Sequence, residues 1–278
     1  MDAERSEIHK TKWFALAGLA AFLVLSSVNG MDRQRLVVDG AAREFLVYIP
    51  SGNMEAVRPV VFAFHGHGGN MYTSASKFNC QKYWPEAIII YPQGMKTPGK
   101  LTDAEGNNSG WQGGIGEMQD RDIKFFDAMI RYIRSSCRID ENRIYAMGHS
   151  NGGEFTYVLW AARGDLLAAV APIAAILGSG SDRAKLMEKP AFLVAGRNDN
   201  LVKFAWQEAM FQFLKRLNGC NAGIRGEVDQ MTVYPSEKGA TLATFFGDGG
   251  HEIPDEAIPL ILEFFKRNPK LSHDQQGG

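Results

Sequence analysis

Cysteine is scarce: three in 278 residues, Cys80, Cys137 and Cys220, with no C-x-x-C and no Cys/His pair at zinc-ligand spacing. That excludes a small disulfide-stapled scaffold, because three thiols close at most one bridge, with three possible pairings, and leave at least one thiol over. An excess of either charge is missing too. Lys plus Arg number 30 against 31 Asp plus Glu, a formal net charge of −1, so the chain presents no general basic face to nucleic acid or to an anionic membrane. Internal repeats are absent, which sets solenoids and propellers aside. Nor does any apolar run reach the roughly 20 residues that a membrane span requires; the run at 13–25 stops at 13.

That short run reads as a targeting signal. Lys10 and Lys12 precede it, small and turn residues follow it, and Val28 and Gly30 stand at the −3 and −1 positions of a cleavage site before Met31. The expectation is a signal peptide over 1–30, a catalytic domain over 31–269 and a polar tail over 270–278, the protein being secreted or periplasmic. Asp2, Glu4 and Glu7 dilute the positive flank, so an uncleaved N-terminal anchor is the alternative, and only then does the protein meet a membrane.

From about Arg35, short β-branched runs alternate with longer amphipathic segments, the rhythm of a mostly parallel α/β sheet with helices on both faces. Strands are predicted at RLVV, EFLVYI, PVVFAF, AIIIY, RIYAMG, AAVAPIA, PAFLVAG and TLATFF. Helices are predicted at DIKFFDAMIRYIRSS, GEFTYVLWAAR, VKFAWQEAMFQFLKRL and EAIPLILEFFKR, whose apolar residues recur at three- and four-residue spacing. One long segment, 92–119, has no period and is rich in Gly and Asn. A connection of that length is commonly functional.

GHSNGG at 148–153 contains G-x-S-x-G, a pattern that 30 glycines and 14 serines would produce by chance about 0.2 times. Its setting adds the information. A strand-like run precedes it and helix formers follow, and a strand–turn–helix of this kind exposes the serine oxygen beside a helix N-terminus that favours a developing oxyanion. Ser150 is therefore the candidate nucleophile. Of six histidines, His9 and His273 lie in the end segments, His149 adjoins the serine and should point away from it, and His65 and His67 precede it. His251, in FFGDGGHEIP, remains as the base. Of nine carboxylates between 160 and 250, Asp199 closely follows a strand, in PAFLVAGRNDN, at the sheet edge where open α/β proteins place their sites. It is the candidate acid, with Asp248 second, and its competing role is a cap on the helix beginning near Val202. HGHGGN at 65–70 is the source of one oxyanion donor, His67 or Gly68, and the N–H of Asn151 is the other. His65 and His67, two apart, suggest a metal pair, but no third ligand follows at metallohydrolase spacing, so neither metal nor cofactor is expected.

Together HGHGGN, IIIYPQG, WQGG, RIYAMGHSNGG, GRND and GDGGHEIP resemble the α/β-hydrolase superfamily, and more narrowly its secreted poly(3-hydroxybutyrate) depolymerase and feruloyl esterase group. The resemblance implies an α/β-hydrolase fold with an eight-stranded, mostly parallel sheet, and a serine esterase with Ser150, Asp199 and His251 as its triad. It also implies that the loop from Gln93 to Trp111 borders the acyl pocket, Trp111 serving as an aromatic wall. Two departures bear on substrate: the WN-type segment is shorter and poorer in cysteine, and Glu252 stands where an aromatic commonly follows the histidine. Soluble short-chain, hydroxyalkanoate or aromatic esters, small or oligomeric, are the expected substrates, with no protein partner. The alternatives are a serine peptidase of the prolyl-oligopeptidase type, which usually carries a large accessory domain, and an inactive hydrolase-like binding protein, against which the complete triad argues.

Overall fold

A computed structural model of the chain describes residues 26–28, 30–53, 55–178 and 180–270. The apolar run at 13–25 and the tail beyond Lys270 lie outside the described residues. In chain order the first strands are β1 (Ser26–Val28), β2 (Met31–Val38), β3 (Ala41–Tyr48) and β4 (Arg58–Phe64), followed by α1 (Met71–Phe78) and α2 (Cys80–Tyr83). Next come β5 (Ile88–Pro92), the two short strands β6 (Met95–Lys96) and β7 (Ser109–Gly110), α3 (Arg121–Ser136), β8 (Ile139–His149) and α4 (Asn151–Arg163). The chain then forms β9 (Ala169–Ile173), α5 (Gly180–Arg183), β10 (Ala191–Gly196) and α6 (Phe204–Leu217), and closes with β11 (Ile224–Arg225), β12 (Met231–Tyr234), β13 (Leu242–Gly247) and α7 (Ala257–Arg267).

The main sheet has the order β1-β2-β3-β5-β4-β8-β9-β10-β13-β12-β11. Its centre, β5 to β13, is parallel throughout. All eight expected strands are present, and the sheet is wider than eight because β1, β11 and β12 add antiparallel edges. Those three are short, and β11 is exposed, so they carry no apolar period; pairing alone makes them strands. β5 and β9 are buried at every residue, as β-branched strands covered on both faces should be.

Successive side chains of β4 alternate between two cores. Val60, Phe62 and Phe64 pack with Phe126 and Met129 of α3, Phe155 and Leu159 of α4, and Leu214 of α6. Val61 and Ala63 pack with Phe78 of α1 and Ile261 and Phe265 of α7. This two-sided burial fixes the sheet between its helices and sends the turns after β4, β8, β10 and β13 to the same C-terminal edge. Among the described residues no helix is long and apolar enough to cross a membrane.

Candidate active site

Ser150 occupies the single-residue turn between β8 and α4, with φ 55° and ψ −122°. That backbone is disfavoured for a residue with a β-carbon and costs on the order of 1–3 kcal/mol. Close packing enforces it. A β-carbon on Gly148 would collide with the Gly152 carbonyl, and one on Gly152 with the Phe64 carbonyl, so the glycines let α4 press against β4 and leave the serine no room to relax. Ser150 N–H is anchored to the Ile173 carbonyl of β9 at 2.8 Å.

The turn after β13 brings His251 to this oxygen. Ser150 Oγ and His251 Nε2 are 2.7 Å apart, and His251 Nδ1 lies 2.8 Å from Asp199 Oδ2. With Nδ1–H donating to the carboxylate, Nε2 is left as the acceptor of the serine proton. Asp199, 4% exposed, is held from behind: Oδ1 accepts the N–H groups of Leu201 and Val202, each at 2.9 Å, and Oδ2 accepts Gln207 Nε2 at 3.1 Å. The competing capping role is not taken: α6 begins at Phe204 with Lys203 as its N-cap and no side-chain cap bond, and Asp199 holds only the turn that precedes it. Asp248 is exposed and approaches Arg197 no closer than 3.8 Å. Gln207 escaped the sequence reading; its only signal is a polar residue on the buried face of α6.

The structure corrects three expectations about neighbouring groups. His149 does not turn away: its ring lies along that of His251, centroids 5.0 Å apart. Burial, with the His251 charge adding to it, lowers its pKa to about 3, so it is neutral and adds no second cation beside the base. Gly68 is not an oxyanion donor, because its N–H donates to the Ser109 carbonyl at 2.7 Å. The N–H groups of His67 and Asn151 make no hydrogen bond among the described residues, and both residues line the cleft. Gln93 does not border the cleft either; its Oε1 accepts Met71 N–H at 3.1 Å and so ties down the start of α1.

Trp111 lies among the residues lining the cleft, but its indole is not the aromatic wall expected. Its indole is 1% exposed, stacked on Phe155 and edge-on to Phe64, and Nε1–H donates to the His65 carbonyl at 2.9 Å. The ring is core, and its main chain does the positioning: Asn151 Oδ1 accepts Trp111 N–H at 2.7 Å and Nδ2 donates to Trp111 O at 3.0 Å. The exposed aromatic of the cleft is Trp206 on α6, 43% exposed, with Leu101 also prominent at 56%. The cleft measures about 540 Å³ and is also lined by Met118, Glu154 and Ile176.

His65 and His67 are occupied by the backbone. His65 Nε2 accepts Gly94 N–H at 2.9 Å, which leaves the proton on Nδ1 to donate to Gly66 O at 2.7 Å, and burial lowers its pKa to about 4. His67 Nε2 bonds Thr97 O at 2.8 Å. The three cysteines are free thiols, and burial pushes Cys80 up to about 12.

No family model matches the chain. Over 218 residues it is 28% identical to a probable feruloyl esterase C of Aspergillus clavatus, covering 76% of each chain. It is 25% identical over 254 residues to a feruloyl esterase C of Emericella nidulans, covering 86% of this chain and 85% of that one. Its fold is similar to that of an acetyl xylan esterase from Aspergillus awamori, with a TM-score of 0.63 at 15% identity over 84% of this chain and 98% of that one. The fold is that of an α/β-hydrolase.

Proposed function

We propose that this chain, an α/β-hydrolase of the esterase group, cleaves carboxylic esters through an acyl-enzyme formed on Ser150. The observation behind this reading is the unbroken line from Ser150 Oγ through His251 to the buried Asp199. As Oγ attacks the ester carbonyl, Nε2 of His251 takes its proton, and Asp199 stabilises the resulting imidazolium. The carbonyl oxygen becomes an oxyanion facing the N–H groups of Asn151 at the start of α4 and His67 in the turn after β4. Collapse expels the alcohol, which recovers the proton from His251. Water then repeats the sequence on the acyl-enzyme and frees the acid. Soluble short-chain, hydroxyalkanoate and aromatic esters are the proposed substrates, the last in keeping with the feruloyl esterases among the relatives. The protein acts outside the cytoplasm after removal of 1–30.

A fluorophosphonate probe should label Ser150 and no other residue, and p-nitrophenyl esters should show burst kinetics. Ser150→Ala and His251→Ala should each cut kcat by several orders of magnitude, with the double variant little worse, since the groups act as one unit. Additive losses, or labelling that survives Ser150→Ala, refute the assignment.

A further inference from the structure

The two amides left to meet an oxyanion, those of His67 and Asn151, stand in turns after different strands, β4 and β8. Neither makes a hydrogen bond among the described residues. Nothing local to either turn fixes the distance between them. A first-turn helix N–H such as that of Asn151 has no carbonyl of its own helix to hold it, and the strained backbone of Ser150 before it persists only where the surroundings over-determine it.

The segment 109–111 touches both turns. On the His67 side, Ser109 O accepts Gly68 N–H at 2.7 Å and Ser109 Oγ donates to Gly69 O, so the peptides that follow His67 are held. The His67 ring is tied to the same hairpin: Nε2 bonds Thr97 O at 2.8 Å, and Thr97 N–H donates to Asn108 O at 2.9 Å. On the Asn151 side, the carboxamide closes a ring with the Trp111 main chain, accepting its N–H at 2.7 Å and donating to its carbonyl at 3.0 Å. An asparagine side chain has only two torsions, and two bonds to one peptide neighbour fix both, along with the Cα that carries the N–H. Gly110 passes against both donor residues. A β-carbon there would stand 2.8 Å from Asn151 Oδ1 and 2.8 Å from His67 Cδ2, closer than a side chain tolerates. Trp111 completes the frame, its Nε1–H donating to His65 O at 2.9 Å, two residues before His67.

We infer, on the ester-hydrolase reading above, that the segment 109–111 gauges the spacing of the two oxyanion donors, and that the Asn151 carboxamide is the positioning residue through which it sets the second. Such donors act on a charge that exists only in the transition state. A displaced donor therefore lowers kcat and leaves substrate binding and the His251 base as they were.

The test measures kcat and KM on p-nitrophenyl acetate, the pH midpoint of kcat/KM, and Ki for an alkyl trifluoromethyl ketone. Ser150 Oγ adds to that ketone, its proton passes to His251, and the ketone oxygen becomes the oxyanion that the donors meet. Asn151→Ala should lower kcat about 10- to 100-fold, short of the roughly 100- to 1000-fold lost with a whole donor. Ki should weaken by the same factor, while KM and the pH midpoint hold. Alanine is the best helix former, so α4 keeps its first turn. Gly110→Ala removes no hydrogen-bonding group and presses on both donors from the other side; its kcat and Ki should fall in step as well, and it decides alone if Asn151→Ala does not fold. An unchanged kcat overturns the inference. So does a loss that leaves Ki untouched, resides in KM or moves the pH midpoint, since a merely structural role would do these. An intact chain that hydrolyses no ester and forms no hemiketal refutes the hydrolase reading and the inference with it; an active intact chain matched by Asn151→Ala refutes the inference alone.

Discussion

Glu154 and the two tryptophans show how far a residue's role depends on what surrounds it. The folded protein holds the Glu154 proton up to about pH 7, against an ordinary value of 4.5. Between those values the folded state binds more protons than the unfolded chain, so this group's contribution to stability falls as pH rises through the window and is a constant cost above it. Glu154→Gln should therefore raise Tm at pH 8, and the gain should vanish as pH approaches 4.5; a gain independent of pH contradicts the burial argument. Trp111→Ala should cost about 3–5 kcal/mol by opening a cavity in the core, measurable by urea denaturation. Trp206→Ala should leave stability nearly unchanged and raise KM for aromatic esters, because its indole is the ring exposed at the cleft. If Trp111→Ala alters only KM, the ring is in the cleft after all.

At the scale of elements, the segment at 92–119 owes its shape to a buried ion pair and not to any period of its own. Arg43 Nη2 lies 2.7 Å from Asp122 Oδ1, the two side chains being 2% and 0% exposed. Asp122 Oδ2 also accepts Gln112 N–H at 2.9 Å, and Gln112 Oε1 accepts Asp122 N–H at 3.0 Å. This reciprocal lock holds Trp111 where Asn151 can grip its main chain, and so connects β3 and α3 to the turn that carries Ser150. Breaking the pair strands one buried charge. Asp122→Ala should cost about 3–5 kcal/mol and also lower kcat/KM through the loosened loop. Arg43→Met combined with Asp122→Leu should recover most of the stability without recovering the activity, since the Gln112 tie is still lost. Full recovery of both would mean that the loop does not depend on Asp122.

For the molecule as a whole, the parallel centre of the sheet is the invariant part and the edges are additions. β1 pairs only with β2, through Ser26–Arg33, Ser27–Asp32 and Val28–Met31, in a hairpin that spans the expected cleavage point at Gly30. Removal of 1–30 takes away the edge strand β1. Exported protein should thus begin near Met31 by mass analysis and unfold as cooperatively as the full chain. An intact Met1 favours the anchor, and loss of cooperativity would show that β1 closes the sheet.

The sequence by itself determined the eight strands with an apolar or β-branched signature, the glycines that flank Ser150, and the pairing of Ser150, His251 and Asp199 as candidates. Each of these rests on local information: a period, a close approach only glycine permits, or a place just after a strand. Tertiary structure alone decided the rest. β1, β11 and β12 exist through pairing. Gly68 N–H was claimed by Ser109 from a distant strand, and Gln207 reached Asp199 across the α6 turn. Trp111 proved to be core where an aromatic wall was expected, because an aromatic residue in a loop has the same local signature whether its ring faces the core or the solvent, and Trp206 of α6 carried no signal of its own. Only the packing of Phe64 and Phe155 against one of them settled which ring was buried and which was left to meet a substrate.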